Sequence, residues 1–310
     1  MKLSGAFVRS SLIAMSAISS AMLIAACGGG GGTGSAAAPT VASASAGTPK
    51  YGQKLLLTVS GSNLDQGLSI TATACTGIAL STTAPSVSTA TTAYYQCTVS
   101  ASGAGQFVLT RTSDNATLTT TPFNVPVPQV TMTVSNGAEV NGAIVVTLAP
   151  NQTPLTVDNF LAYVNAGFYD GTVLHRVSPG FVIQGGGYAS PVDNNAVTPK
   201  ATSAPIALEV GKGLSNTQWT IAMARDPAVA ASATSQFFIN LVDNSAQLDP
   251  SDIVGAGYAV FGNVVASSST VAAIAGAPCT KFPDRFEFYQ GVNDCTLSPN
   301  VVVTSAVQTR

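Results

Sequence analysis

From Phe168 to Gly187 the chain runs Phe168-Tyr169-Asp170-Gly171-Thr172-Val173-Leu174-His175-Arg176-Val177-Ser178-Pro179-Gly180-Phe181-Val182-Ile183-Gln184-Gly185-Gly186-Gly187. One cation, Arg176, stands among apolar residues, beside His175, the only histidine of the chain. No Gly-x-Ser-x-Gly elbow occurs and no second His shares the work, so a hydrolase triad is excluded and His175 reads as a packed core residue. Gly185-Gly186-Gly187 is not a phosphate loop, since no Gly-Lys-Ser/Thr follows. Asp170, and Asp249 further on, read as turn-closing carboxylates rather than acids. Upstream, residues 130–134 and 143–148 read as paired strands about Asn136-Gly137. Val157, Phe160, Leu161 and Val164 then fall at i, i+3, i+4 and i+7, the spacing of one helical face. That spacing predicts a helix capped at Thr156 and stopped by Gly167 at C′. Downstream, residues 236–241, 258–265 and 301–303 read as strands. A largely antiparallel barrel with helices over its ends accounts for this pattern.

The quoted residues resemble the signature of the cyclophilins, the prolyl cis–trans isomerases. Two further blocks match in order. One is Gly213-Leu214-Ser215-Asn216, then Thr220-Ile221-Ala222-Met223-Ala224-Arg225 and Ser235-Gln236-Phe237-Phe238-Ile239-Asn240; the other is Leu248-Asp249, then Tyr258-Ala259-Val260-Phe261-Gly262-Asn263-Val264. The resemblance implies a mainly β fold over residues 128–310, a closed eight-stranded antiparallel barrel with two capping helices. It also implies roles, residue by residue. Arg176 matches the catalytic arginine, with Phe181 and Gln184 beside it in the catalytic set. Phe181 and Phe238 match the aromatics of the proline pocket. Gln184 and Gln236 match the polar residues that orient the arginine and the substrate backbone. Ala224 matches the backbone contact beside the groove, and Leu248 the aliphatic wall. Three positions depart. Val182 stands where many members have Met, Gln247 where the well-known eukaryotic members have Trp, and Tyr258 where they have His. A Tyr there resembles bacterial members. Trp219, the only Trp, is not a replacement for the one missing at 247. The loss of that aromatic implies weak cyclosporin binding more than lost turnover. No cofactor and no metal is implied.

The chemistry suits these residue types without the family name. Rotation about an amide C–N bond meets a barrier of about 18–20 kcal/mol. At the top of the barrier conjugation is lost and the imide nitrogen becomes more basic. A fixed guanidinium, charged at every relevant pH, can donate to that nitrogen or hold the carbonyl oxygen. It accelerates rotation only by binding the twisted form better than either planar form. Phe181, Val182, Phe238 and Leu248 would line a dry slot for the proline ring, whose low polarity favours the less dipolar twisted amide. The implied partners are proline-containing exported polypeptides. The alternative is a non-catalytic binding protein on the same scaffold.

Export is read from the N-terminus. Lys2 and Arg9 precede an apolar run over residues 12–26, shorter than the about 20 residues that span a bilayer. Positive start, apolar middle and small-residue end make a signal peptide over 1–26. Ile24-Ala25-Ala26-Cys27 resembles the bacterial lipobox, which implies lipid attachment at Cys27. Gly28 at the next position, rather than Asp, implies outer-membrane sorting, with the domains facing the periplasm. Residues 27–47, rich in Gly, Ser and Ala, are expected to be a flexible tether reaching roughly 25 Å. In an oxidising compartment four remaining cysteines suggest two local disulfides, Cys75 with Cys97 and Cys279 with Cys295, against the alternative of four buried thiols. The aromatic and charged residues between Cys279 and Cys295 read as a pinned surface loop or a contact loop for a partner.

Residues 48–127 carry short Thr- and Val-rich strand signals at 55–59, 68–72, 94–99 and 107–110, broken by turn residues. That pattern suggests a small antiparallel sandwich. Leu57-Thr58-Val59-Ser60-Gly61-Ser62-Asn63-Leu64 resembles the strand-and-turn signature of bacterial immunoglobulin-like modules of the IPT type. No catalytic constellation occurs there. Pro122, Pro126 and Pro128 mark the expected boundary. The whole chain has 310 residues, a formal net charge of −2 and only 8% charged residues. Such a surface excludes nucleic-acid binding through a basic face, which needs clustered Lys and Arg. With 46% hydrophobic residues the chain is not a charged disordered one either.

Overall fold

The computed structural model describes residues 37–82, 85–193, 195–252, 255–265, 267–281 and 294–310. The expected signal peptide, Cys27 and the middle of the Cys279–Cys295 loop lie outside the described residues.

The first seven strands are β1 (Thr40–Ala46), β2 (Lys54–Ser62), β3 (Leu68–Ala72), β4 (Cys75–Leu80), β5 (Thr92–Val99), β6 (Gly103–Arg111) and β7 (Thr117–Val125). They form two antiparallel sheets, ordered β1-β2-β5-β4 and β3-β6-β7. β5 buries Ala93, Tyr95, Cys97 and Val99 and leaves the residues between them half exposed. Period two with one buried face is how a strand covers a core. Leu55, Leu57 and Val59 of β2 and Phe107 and Leu109 of β6 join the same core. Cys75 and Cys97 are disulfide-bonded across β4 and β5.

Two boundaries differ from expectation. The tether expected over 27–47 ends earlier, because Thr40–Ala46 is β1, paired with β2 from Thr40↔Ser62 to Ala46↔Leu57. Its small polar residues bury little; backbone pairing makes the strand, and composition does not report pairing. At the other end, Pro122 lies inside β7. β7 is an edge strand, where a missing N–H costs no ladder bond, so the linker shrinks to residues 126–128.

β8 (Gln129–Ser135) and β9 (Asn141–Leu148) form a hairpin in register from Gln129↔Thr147 to Ser135↔Asn141. Asn136 closes it, its Oδ1 accepting from the Ala138 and Val140 N–H groups, both at 2.9 Å. Next comes α1 (Pro154–Asn165), capped at Thr153 with Pro in the first turn. The expected cap at Thr156 is corrected: Thr156 is already helical. Glu209 caps the helix from outside, accepting from Leu155 N–H at 3.2 Å, Thr156 N–H at 2.7 Å and the Thr156 hydroxyl at 2.7 Å. A carboxylate there satisfies orphan donors and complements the helix dipole. Val157, Phe160, Leu161 and Val164 face inward as their spacing predicts. Gly167 occupies C′ with φ 64°, its N–H donating to Val164 O while Phe168 N–H donates to Tyr163 O, each at 3.0 Å. That is a Schellman stop, and it aims the chain into the segment that follows.

The remaining elements are β10 (Thr172–Val173), β11 (Arg176–Ser178), β12 (Val182–Gly185), β13 (Tyr188–Ala189), β14 (Thr198–Pro199), β15 (Thr220–Met223), β16 (Phe237–Asn240), α2 (Ser245–Leu248), β17 (Val260–Val265), α3 (Ser268–Gly276), β18 (Cys279–Lys281), β19 (Cys295–Leu297) and β20 (Val302–Gln308). β8 to β20 make one sheet of 13 strands, ordered β14-β13-β10-β20-β8-β9-β17-β15-β16-β12-β11-β19-β18. The expected closed ring of eight is therefore corrected to a half-barrel. β10 pairs with β13 and β20, whereas β11 pairs with β12 and β19. The strand is interrupted at Leu174-His175 between them, so no ladder joins the two arms among the described residues. Among the described residues three helices accompany the sheet instead of two, α2 being a single turn. Phe160 of α1 packs in the sheet's hollow, 5.0 Å from Phe261, 5.3 Å from Tyr169 and 6.0 Å from Phe237, ring centre to ring centre. Cys279 and Cys295 are bonded across β18 and β19.

Ala38–Arg310 is one compact unit. Tyr51 OH donates to Asp158 of α1 at 2.8 Å, and Gln308 of β20 donates to Tyr51 O at 3.0 Å. Burial, then the Asp158 bond, pushes the Tyr51 hydroxyl well above its ordinary pKa.

Candidate active site

Strand register builds the site. Arg176 lies opposite Gln184, Gln184 opposite Phe238, and Phe238 opposite Ala222. Directly opposite residues share a face. A cation, an amide and an aromatic ring thus stand in one row across β11, β12 and β16. The row borders a cavity of about 540 Å³ lined by Arg176, Phe181, Val182, Gln184, Ala224, Gln236, Phe238, Leu248 and Tyr258 among others. All nine residues expected at the catalytic and substrate positions meet there. Gln247 is not among the lining residues; it is exposed on α2.

One wall is apolar. Val182, Ala222, Phe238, Leu248 and Val260 form a small buried cluster, with Phe181, Ala224 and Tyr258 packed on it. The Phe238 and Tyr258 rings meet edge to face at 5.6 Å. The other wall is polar and fully connected. Arg176 Nη1 donates to Gln184 Oε1 at 3.1 Å, and Gln184 Nε2 donates to Gln236 Oε1 at 3.0 Å. Arg176 Nε and Nη2 donate to the Asp294 carboxylate at 2.9 and 3.2 Å. Glycine is required below the amides. A Cβ on Gly187 would come within 2.7 Å of the Gln236 side chain, and Gly186 adopts φ 83°. The glycine run therefore gives the glutamine room, which answers why it is there without a phosphate.

His175 sits behind this wall, fully buried and edge-on to Tyr188 at 4.8 Å. Desolvation holds its pKa down at about 3, against the opposing pull of the Val173 backbone carbonyl as acceptor and with the Arg176 charge adding to the shift. It is neutral at any physiological pH. Asp170 and Asp249 do structural work, but by bonding residues distant in sequence rather than by closing their own turns. Asp170 Oδ1 accepts from Ala306 N–H at 2.9 Å. Asp249 accepts from the Ser215 hydroxyl and from the backbone and side-chain N–H of Asn216, the latter two at 2.8 Å.

Two features escaped the sequence. The first is a chain of buried asparagines. Asn240 Nδ2 donates to Asn216 Oδ1 at 3.2 Å and to Thr220 Oγ1 at 2.8 Å; Asn244 Nδ2 donates to Asn240 Oδ1 at 2.8 Å and to Phe181 O at 2.9 Å. Asn216 also donates to Tyr258 O at 3.2 Å. These bonds fix the backbone that carries Phe181 and Tyr258. Asn216 and Asn240 lie inside the matching blocks, which was the available signal. The second is a rim of Tyr188, Arg225, Asp226, Pro227, Ser232 and Thr234. Arg225 lies over the Tyr258 ring at 4.7 Å and donates to Gly257 O at 2.8 Å.

The family model described as cyclophilin type peptidyl-prolyl cis-trans isomerase/CLD matches residues 129–297. A peptidyl-prolyl cis-trans isomerase of Acinetobacter baylyi is 45% identical over 141 residues, 46% of this chain and 71% of that protein. The peptidyl-prolyl cis-trans isomerase cyp18 of Streptomyces antibioticus is 48% identical over 138 residues, 44% of this chain and 78% of that protein. The crystal structure of a cyclophilin type isomerase from Cryptosporidium parvum matches at 19% identity with a TM-score of 0.44, covering 59% of this chain and 98% of that one.

Proposed function

Since this chain belongs to the cyclophilin-type peptidyl-prolyl cis-trans isomerases and is an enzyme of that class, we propose that it turns X–Pro bonds of exported polypeptides, using Arg176 and an apolar proline slot. The observation that carries the mechanism is the side-by-side placement of a fixed guanidinium and a dry wall in one cavity. The proline ring enters between Phe181, Phe238 and Leu248, excluding water. Arg176, charged and held in plane, donates to the imide as it twists. The twisted amide is less dipolar than either planar form and has a more basic nitrogen. Both properties make it the form this site binds best. Five decades of acceleration need roughly 7 kcal/mol. One preorganised charged donor supplies about half of that, and binding in the slot the rest. Gln184 orients the arginine, and Gln236 and Ala224 meet the substrate backbone.

The setting is carried by sequence features. Ile24-Ala25-Ala26-Cys27 and Gly28 support a lipoprotein anchored through Cys27 in the outer membrane, with its catalytic part in the periplasm. The sandwich over 38–125 supports that part as a spacer or a contact module. The test is cis–trans exchange of a short Ala-Pro peptide followed by NMR, with wild type and Arg176→Ala side by side. Acceleration by the wild type alone supports the mechanism. Equal acceleration by both proteins removes Arg176 from it.

A further inference from the structure

Among the described residues, the side chain that grips Arg176 most completely comes from outside the row of strands that forms the pocket. Asp294 lies next to Cys295 at the start of β19, at the end of the segment set off by the Cys279–Cys295 disulfide. Its carboxylate accepts from Nε and Nη2 together, at 2.9 and 3.2 Å, so the contact is a fork. Its side chain is only 2% exposed and that of Arg176 15% exposed. A carboxylate this deeply buried is stable only when paired, and so is the cation it meets.

A guanidinium held at one point can still swing about its long stem. Gln184 alone provides one such point, at Nη1. The two parallel bonds to Asp294 define the plane of the group, which a single acceptor does not. The three contacts together fix both position and plane. The strand that begins beside Asp294 is itself tied to its neighbours. β19 pairs with β11 through Val177↔Cys295, one residue from Arg176. β18 pairs with β19 from Cys279↔Leu297 to Lys281↔Cys295, and the disulfide closes that pair covalently. The Thr296 hydroxyl donates to His175 O at 2.9 Å, tying β19 to the residue before the arginine.

We propose that Asp294 is a positioning residue for the reaction, setting the plane of the Arg176 guanidinium, and that the Cys279–Cys295 bridge fastens the strand that delivers it. This rests on the catalytic reading of Arg176 given above. Asp294 is not among the residues that line the cavity, so its effect belongs to turnover rather than to substrate binding. Misplacement of a catalytic group by an ångström costs on the order of a hundredfold, and Gln184 retains part of the hold.

The experiment measures kcat and KM on a proline peptide for the full chain and for Asp294→Ala, Asp294→Asn, Arg176→Ala and the double variant Arg176→Ala/Asp294→Ala. Asp294→Ala is expected to lower kcat about tenfold or more with KM nearly unchanged, and to have no further effect once Arg176 is gone. Asp294→Asn keeps shape and one acceptor but not charge, and should fall between. In the same proteins the Arg176 Nε–H resonance should be slow to exchange in the wild type and lose that protection in Asp294→Asn. A Cys279→Ser/Cys295→Ser variant should lose part of kcat in the same way. If Arg176→Ala is inactive while Asp294→Ala and Asp294→Asn keep wild-type kcat, the positioning role is overturned and the reading of Arg176 survives. If Arg176→Ala is fully active, the underlying reading fails instead. Equal losses from Asp294→Ala with and without Arg176 would make Asp294 a fold residue and overturn the proposal. Should Asp294→Ala not fold, Asp294→Asn and its Nε–H resonance decide.

Discussion

The sandwich and the half-barrel solve the same problem with different interiors. Among the described residues, the sandwich buries only Ser81 and Thr121 as polar side chains, whereas the part from Gln129 onward buries 13. The sandwich core is built by alternation, Leu55, Leu57 and Val59 against Phe107 and Leu109, with the Cys75–Cys97 bridge beside it. The half-barrel instead carries Gln184, Asn216, Asn240 and Asn244 inside, in bonds that lead to the pocket. Buried polar groups cost free energy unless paired, so they persist where they hold something in place. What they hold here is Arg176, Phe181 and Tyr258.

That contrast can be broken by experiment. The largest expected effect is on Arg176→Ala, which should lower kcat/KM by about 10²–10³ and, by leaving the buried Asp294 carboxylate unpaired, cost about 3–5 kcal/mol of stability. Lost stability with unchanged turnover would confine the arginine to the fold. Leu57→Ala is the opposite case. It opens a cavity in the sandwich and should cost about 3 kcal/mol of stability, read from a denaturant curve. Turnover by the folded protein should not change; a fall in kcat would show that the sandwich core reaches the site. Asn240→Ala combines the two behaviours. It strands the Asn216 and Asn244 side chains, costing about 2 kcal/mol, and it should reduce kcat/KM severalfold by loosening Phe181. Stability lost without activity would sever the asparagine chain from the pocket.

The smallest effect at neutral pH concerns His175. Its folded pKa is depressed to about 3 from an ordinary 6.5. Below 6.5 the unfolded chain binds a proton that the folded chain refuses. The stabilisation is therefore complete above pH 6.5 and is lost as pH falls toward 3, with a slope of up to about 1.4 kcal/mol per pH unit. His175→Leu should flatten that limb of the stability curve and change little at pH 7. An unchanged limb would place the acid sensitivity elsewhere. The sandwich contains no His and supplies no such limb.

Much of this was legible in the sequence, and the reasons are specific. The α1 face was visible because 3.6-residue periodicity is local, and Gly167 marked its end because the left-handed C′ position favours glycine. The nine pocket residues were legible because they sit in contiguous motifs. The Thr156 cap was misread because the true capping carboxylate, Glu209, is more than fifty residues away and no local signal announces it. β1 was missed because its stability lies in its partner. Asp294 was missed for the same reason: nothing in Asn293-Asp294-Cys295 points to an arginine far upstream.

The sequence by itself determined the strand and helix periods, the turn glycines, the cyclophilin motif and the cysteines available for bridging, since each is written in neighbouring residues. Only the tertiary structure decided that the sheet opens at Leu174-His175, that Arg176, Gln184 and Phe238 form one row, and that Asp294 closes on the arginine from a disulfide-fastened strand. Those facts depend on pairing between distant strands. Register and burial, rather than any local preference, choose among the pairings that the same residues allow.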